Sequence, residues 1–488
     1  MNMKIVSELS AAFTAMAAAL ALVVSCKDPE PPVKPEEKKD PQMEAKNYLR
    51  KEYMNVYYYW QADVIERNSK VSAANVDIYD FFDKLLYGND RWSWMCDKEY
   101  YVDSESGVVV GTYGGSLSQP LEYYDDYGVY VRFVYPGSPW ANNGVTRGCL
   151  LTHVAGTEVM DLIRLGTFET SLNTSPQTFT FEDTAGKSFT FTTDWATSLN
   201  VRSSLDLKVF TDKDFPGLKE PVGYFNYLSF KANFLEDITS AMETLKAQGV
   251  KTMILDLRYN GGGDSRASQL LVNYLAPASA KGQIYVKRVH NSILSSQDAV
   301  EKVGDAVVDP STNRQITGES IGIEHLYVIT GAGSASASEM VTNGLRPLMD
   351  VKMVGDTTYG KPNGMYVLFY PGEDSDYERY NREDFSKLQW VFLPICFYNK
   401  NGLNESIPDD GFIPDNYRPD DLYHDFDVNE DNIKACLTHI VTGKYPELPA
   451  TKAVRTKSAS GGRKVVIAEE ERDPHYGSYI VNPKADIR

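Results

Sequence analysis

Cysteine and histidine are both scarce, with five and six copies among 488 residues. No two cysteines stand close enough for a CxxC pair and the histidines are scattered, so neither a structural zinc site nor any other metal is called for. Cys149 and Cys396 lie inside apolar runs and read as buried thiols. Positive charge is in deficit, the formal net charge being -18. No basic stripe runs along any segment, which excludes nucleic acid as a partner. Beyond the first 25 residues nothing approaches the ~20 consecutive apolar residues that a membrane helix needs. The glycine run Gly261-Gly262-Gly263 carries neither GK[ST] nor GxGxxG spacing, which argues against a bound nucleotide, and no cofactor is implied. Asp427 to Asp431 opens like a calcium loop. It lacks glycine at the sixth place and has Thr438 at the twelfth, and so reads as a solvated helix start.

What is present begins with a processing signal. Lys4 precedes an almost unbroken small and apolar run from Ala11 to Val24, followed by Ser25-Cys26. The run is too short to span a bilayer well and ends on a small residue, the pattern of a cleaved export signal over residues 1–25. Cys26 in that place resembles the acylated cysteine of bacterial lipoproteins, although Val23 stands where that pattern usually has leucine. The resemblance implies a lipid anchor on the outer membrane of a Gram-negative cell envelope, facing either the periplasm or the outside. Residues 26–43, with five prolines among alternating charges, read as an extended tether.

Residues 44–104 read as a helical cap. Leu49, Tyr53, Val56, Trp60 and Val64 form one helical stripe, and Ile78, Phe81, Phe82, Leu85 and Leu86 a second. The cluster Tyr57-Tyr58-Tyr59-Trp60 fits aromatic packing of this cap better than a binding groove. Residues 105–200 switch to short strand-like runs separated by turns. There Gly128 to Pro139, a short helix stopped by Gly144, and Arg147-Gly148-Cys149-Leu150-Leu151 resemble a PDZ domain, with Cys149 replacing its usual aspartate. Gly114 and Gly115 match the loop that holds a peptide carboxylate in such domains, which take peptides by strand addition. Over residues 201–450 helices and strands alternate, the pattern of an α/β domain. Residues 451–488 are polar without periodicity, and no fold or function is assigned to them.

Three segments of the α/β region carry chemistry. A strand over Leu326–Ile329 runs into Gly331-Ala-Gly-Ser-Ala-Ser-Ala-Ser-Glu339, where small residues allow a tight strand-to-helix turn. A serine hydroxyl would then sit at a helix N-terminus, beside unpaired N–H groups that stabilise negative charge. The loop Arg258 to Gly263 can bring another N–H close to a reacting carbonyl. Gly355 to Lys361 is a turn ending in a single lysine, which acts as a general base only if burial lowers its pKa. Any of Ser334, Ser336 and Ser338 could be the nucleophile.

Asp256-Leu-Arg258-Tyr-Asn260-Gly-Gly262-Gly263, Ser334-Ala-Ser336-Ala-Ser338-Glu339 and Gly355-Asp-Thr-Thr358-Tyr-Gly360-Lys361, in that order, resemble the C-terminal processing (tail-specific) serine peptidases. The resemblance spans roughly residues 45–420 and includes Gly411-Phe-Ile-Pro414-Asp415. It implies a core like that of crotonases and the Clp peptidase, with the PDZ-like and helical parts preceding or inserted in it. It implies Ser336 as nucleophile, 25 residues before Lys361 as general base, and an acyl-enzyme. The oxyanion would lie between the N–H groups of Ala337 and Gly262, with Gly261 the runner-up. Substrates would be unfolded chains or C-terminal segments of polypeptides. Many family members orient the lysine with a glutamine four residues on. Here that place is Met365, so Asn363 or a backbone carbonyl would take over, or the dyad stands alone. A second reading is a catalytically weak or inactive lipoprotein that binds peptides through the PDZ-like domain.

Overall fold

The computed structural model describes residues 42–118, 121–123, 126–370, 389–448 and 479–481, and the expected signal, Cys26 and most of the tether lie outside them. The chain starts with helix α1 (Met43–Tyr48), which runs on as a π-helix over Leu49–Tyr57, then α2 (Gln61–Asn68) and α3 (Ile78–Leu85). Of the first expected stripe Leu49, Tyr53 and Val64 are buried, but Val56 and Trp60 only partly, because the helix breaks at Tyr58 and restarts at Gln61. Of the second, Ile78, Phe81, Phe82 and Leu85 are buried and Leu86 lies past the helix end. Asp77 caps α3 by accepting from Tyr79 N at 3.0 Å. The cap is welded to the core, because strand β1 (Trp94–Asp97) pairs with a core strand described below.

A second module is closed at its base by β2 (Val108–Val109) pairing with β8 (Leu199–Asn200). Between them lie β3 (Gly115–Leu117), β4 (Asp126–Val134), β5 (Leu150–Val154), β6 (Gln177–Glu182) and β7 (Ser188–Thr193). They form an antiparallel sheet in that order, with β3 and β7 at its edges. The short helix α4 (Pro139–Asn142) starts on Ser138, whose Oγ accepts from Ala141 N at 3.2 Å.

The core is built on a sheet in the order β9 (Ser204–Phe210), β10 (Val222–Tyr227), β11 (Thr252–Asp256), β15 (His325–Thr330), β16 (Asp350–Gly355) and β21 (Asn416–Tyr417). All pairings from β10 to β21 are parallel. Parallel strands need both faces covered, and β10 and the last four residues of β11 are buried throughout. Helix α5 (Leu235–Ala247) supplies one cover, presenting Leu235, Ile238, Met242 and Leu245 at helical spacing and ending before Gly249 at φ +71°. Helix α7 (Asp431–Thr442) lies against β15 and β16 and buries Ile433 and Leu437. The helix start expected near Asp427 falls at Asp431 and is not solvated: its cap Glu430, which accepts from Ile433 N at 2.9 Å, is fully buried, as is Asn432.

Strand register decides where the chemistry falls. Asp256 lies beside Ile329 and Thr330 beside Gly355, so three neighbouring parallel strands end level with one another. The three chemical segments of the sequence are the loops leaving those three carboxyl ends, where open α/β sheets place their ligands.

A second sheet continues from these loops. It contains β12 (Gly263–Asp264), β17 (Asn363–Tyr366), β20 (Ile395–Lys400), β13 (Ile284–His290) and β14 (Ala299–Lys302). Strand β22 (Tyr479–Val481) lies between β12 and β17, in a tail to which the sequence assigned no fold. Strands β18 (Leu368–Tyr370) and β19 (Trp390–Leu393) take up β1 as the third strand of a small sheet. The four cysteines of the described residues are free and buried.

Candidate active site

The turn after β15 leads into helix α6 (Ala337–Leu345) through Ser336, held at φ +55° and ψ -109°. A non-glycine residue adopts such a conformation only where its surroundings force it, and functional sites are where such strain collects. The surroundings here are the two flanking serines. Ser334 Oγ donates to Leu257 O at 2.7 Å and accepts from Gly331 N at 3.0 Å. Ser338 Oγ donates to Asn260 O at 2.8 Å. Both hydroxyls staple the turn to the glycine-rich loop. Ser336 is 1% exposed and its Oγ has no hydrogen-bond partner among the described residues. Geometry thus leaves one of the three serines free to react.

Lys361 is fully buried, and its Nζ likewise has no hydrogen-bond partner among the described residues. Burial drives its pKa down to about 7, against the opposing pull of Asp90 and Glu339. The side chain therefore titrates near neutral pH, where a large share of it is the neutral amine. Met365 is buried in an apolar cluster with Ala335, Tyr359, Trp92 and Trp94, so the helical cap helps wall the lysine from water.

Glu339 joins the two loops, a role that the sequence reading did not give it. Its Oε2 accepts from Ser336 N and Lys361 N, both at 2.9 Å. Its Oε1 accepts from Gly360 N at 2.8 Å and Thr358 Oγ1 at 2.5 Å. Two nitrogens bonded to one oxygen stand within about 6 Å of each other, which fixes the backbone of the serine against that of the lysine. Burial raises the Glu339 pKa while the four donors work to lower it. The S-x-x-E spacing of a capping box was the available signal.

The glycine loop closes over this turn. Asn260 Nδ2 donates to Tyr227 O and Asn260 O accepts from Ala335 N, at 2.8 and 3.2 Å. A Cβ on Gly262 would fall 3.0 Å from Ala337 N and from Ser336 Cβ, at φ +106°. The expected oxyanion pair needs one correction. Gly262 N donates to Asn260 Oδ1 at 2.8 Å, so its N–H is spent in holding the loop. The N–H groups of Ala337 and Gly261 make no hydrogen bond among the described residues.

Two further expectations are corrected. Asn363 is buried beside Tyr398, and Lys361 Nζ has no hydrogen-bond partner among the described residues, so Asn363 does not orient Lys361 through a hydrogen bond. Gly114 N donates to Thr112 Oγ1 at 2.9 Å, and a Cβ on Gly115 would fall 2.3 Å from the Trp140 ring. That loop is packed against Ser138 and Trp140 rather than open to a carboxylate.

Asp256 and Arg258 serve a structural purpose. The Arg258 guanidinium donates to Asp256, to Asp420 Oδ1 at 2.9 Å and to Glu430 Oε2 at 3.1 Å. Arg147, from the sheet module, donates to the same Asp420 oxygen at 2.8 Å, to Tyr259 OH at 2.5 Å and to His424 O at 3.0 Å. The paired arginines hold Asp420 well below the usual carboxylate range. One ion network therefore ties the module to the loop beside the serine.

The same segments are found in known proteins. Residues 221–375 match the model of Peptidase family S41, and residues 51–94 match the Peptidase S41 N-terminal domain. The chain thus carries peptidase S41 domains and is a homologue of the carboxyl-terminal processing proteases. It is 29% identical over 150 residues to the carboxyl-terminal-processing protease of Synechocystis sp., covering 31% of this chain and 30% of that one. It is 25% identical over 140 residues to the carboxy-terminal processing protease CtpA of Bacillus subtilis, 29% of this chain and 26% of the relative. The matches therefore span under a third of either relative. A solved structure from Bacteroides fragilis NCTC 9343, assigned to the S41 proteases, superimposes with a TM-score of 0.59 at 20% identity. It covers 83% of this chain and 98% of that one, and shows that the mixed α/β fold is shared.

Proposed function

We propose that this chain is a serine peptidase which cuts polypeptides through a Ser336–Lys361 dyad and an acyl-enzyme. One observation carries the reading: Ser336 Oγ and Lys361 Nζ are both buried and unpartnered, and a single carboxylate clamps the backbones that bear them. Lys361 Nζ, in the neutral form that becomes populated near pH 7, takes the proton of Ser336 as Oγ attacks the scissile carbonyl. The oxyanion forms against the N–H groups of Ala337 and Gly261. The Lys361 ammonium then protonates the leaving amine, and the regenerated amine activates the water that hydrolyses the acyl group. Apart from the solvent water, each step uses groups of this chain.

The sheet module acts as a PDZ-like delivery site in this account. Its β3 is an edge strand, suited to adding a peptide as a further strand. Cys26 would carry the lipid that holds the enzyme in the cell envelope, and surface proteolysis of intact cells would tell which face of the outer membrane it occupies. Met365, and a Lys361 Nζ that nothing orients among the described residues, favour the second reading, a peptide-binding lipoprotein without turnover. Hydrolysis of an unfolded protein by wild type, Ser336→Ala and Lys361→Ala separates the two. Loss of turnover in both variants is expected, and equal rates in all three would reject the dyad.

A further inference from the structure

Strand β12 begins at the residue after Gly262, and β17 begins two residues after Lys361. Each has one side already filled. Asp264 N donates to Phe230 O at 2.7 Å and Gly263 bridges Phe230, while β17 pairs with β20. Their remaining edges face each other across the width of one strand, about 10 Å between strands two places apart. Unpaired backbone edges at that spacing are met in full only by another extended chain.

In this molecule that chain is its own tail. Tyr479 lies opposite Gly263, Ile480 opposite both Asp264 and Met365, and Val481 opposite Tyr366, parallel to both neighbours. We propose that the slot between β12 and β17 is a strand-accepting peptide site beside the dyad, and that residues 479–481 occupy it in the resting molecule in competition with other peptides. The recognition is through the backbone, so the site takes extended polypeptide with tolerance of sequence. Competition with substrate rests on the peptidase reading above; occupancy of the slot does not.

The test uses the full chain and its Ile480→Pro variant, in which a strand N–H is lost from the tail strand while both edges of the slot keep their sequence. The probe is a labelled synthetic peptide with the sequence of residues 475–488. It should bind Ile480→Pro at least tenfold more tightly than wild type. Hydrogen exchange in fragments covering residues 363–366 should be faster in the variant, and the added peptide should slow it again. With a peptide substrate, the variant should show a KM several-fold lower at unchanged kcat. Equal peptide binding by the two chains, with unchanged exchange at residues 363–366, would overturn the proposal. If neither chain hydrolyses peptide or acylates Ser336, the peptidase reading fails, and the binding and exchange results still decide the slot.

Discussion

Lys361 carries the sharpest consequences at the scale of a single residue. Its pKa falls from 10.5 to about 7 on folding, so between those values the unfolded chain binds the proton and the folded chain does not. Stability therefore rises with pH across that window, and the full burial cost is present below about pH 7. Replacing it with methionine should abolish turnover and yet stabilise the fold, by on the order of 3 kcal/mol at pH 7, the gain vanishing toward pH 10.5. Urea unfolding at several pH values measures this. As the base, Lys361 must be neutral to act, so log kcat/KM should climb through a midpoint near pH 7 and then level. Glu339→Gln keeps the size of the side chain but replaces one acceptor oxygen with an NH2 group. It cannot accept from all four donors, and kcat should fall about 10- to 100-fold with KM little changed.

At the scale of the element, the loop from Leu257 to Gly263 is a machined part. Its tight approach to the serine turn requires glycine at position 262, where an added Cβ meets Ala335 O at 2.9 Å under a positive φ. Gly262→Ala should therefore displace the loop and lower kcat/KM by about 100-fold, as the loss of an oxyanion donor does. The sequence made much of this legible. The order of three motifs and the periodicity around Leu235–Leu245 were enough to place the strands, the helix and the loops that carry the two candidate side chains, Ser336 and Lys361. Hydrogen-bond partners were not legible. Whether Gly261 or Gly262 offers its N–H depends on where Asn260 Oδ1 turns, and the free hydroxyl among three serines depends on contacts to a loop 77 or 78 residues away. Glu339 was visible as a helix-start residue, but its bonds to Gly360 and Lys361 span 21 and 22 residues and exist only after β15 and β16 pair.

At the scale of the molecule, parallel register brings the three loops together, and the ion network fixes the sheet module against them. Arg147 reaches across 273 residues to Asp420, which no local pattern announces. Arg147→Met should cost about 3 kcal/mol, because the removal of one partner strands the buried charges of the others. The depressed carboxyl of Asp420 adds stability at neutral pH that is lost as pH falls below its usual range, and the variant should lose less in that interval. Thermal unfolding of both chains from pH 3 to 7 would measure the difference. The account as a whole stands on the identity of the attacking atom. Intact-mass and fragment mass spectrometry after treatment with a serine-acylating probe tests that directly. One acyl group on Ser336, absent from Ser336→Ala and formed far more slowly by Lys361→Ala, is the predicted result. No adduct, or an adduct on Ser334 or Ser338, would contradict it.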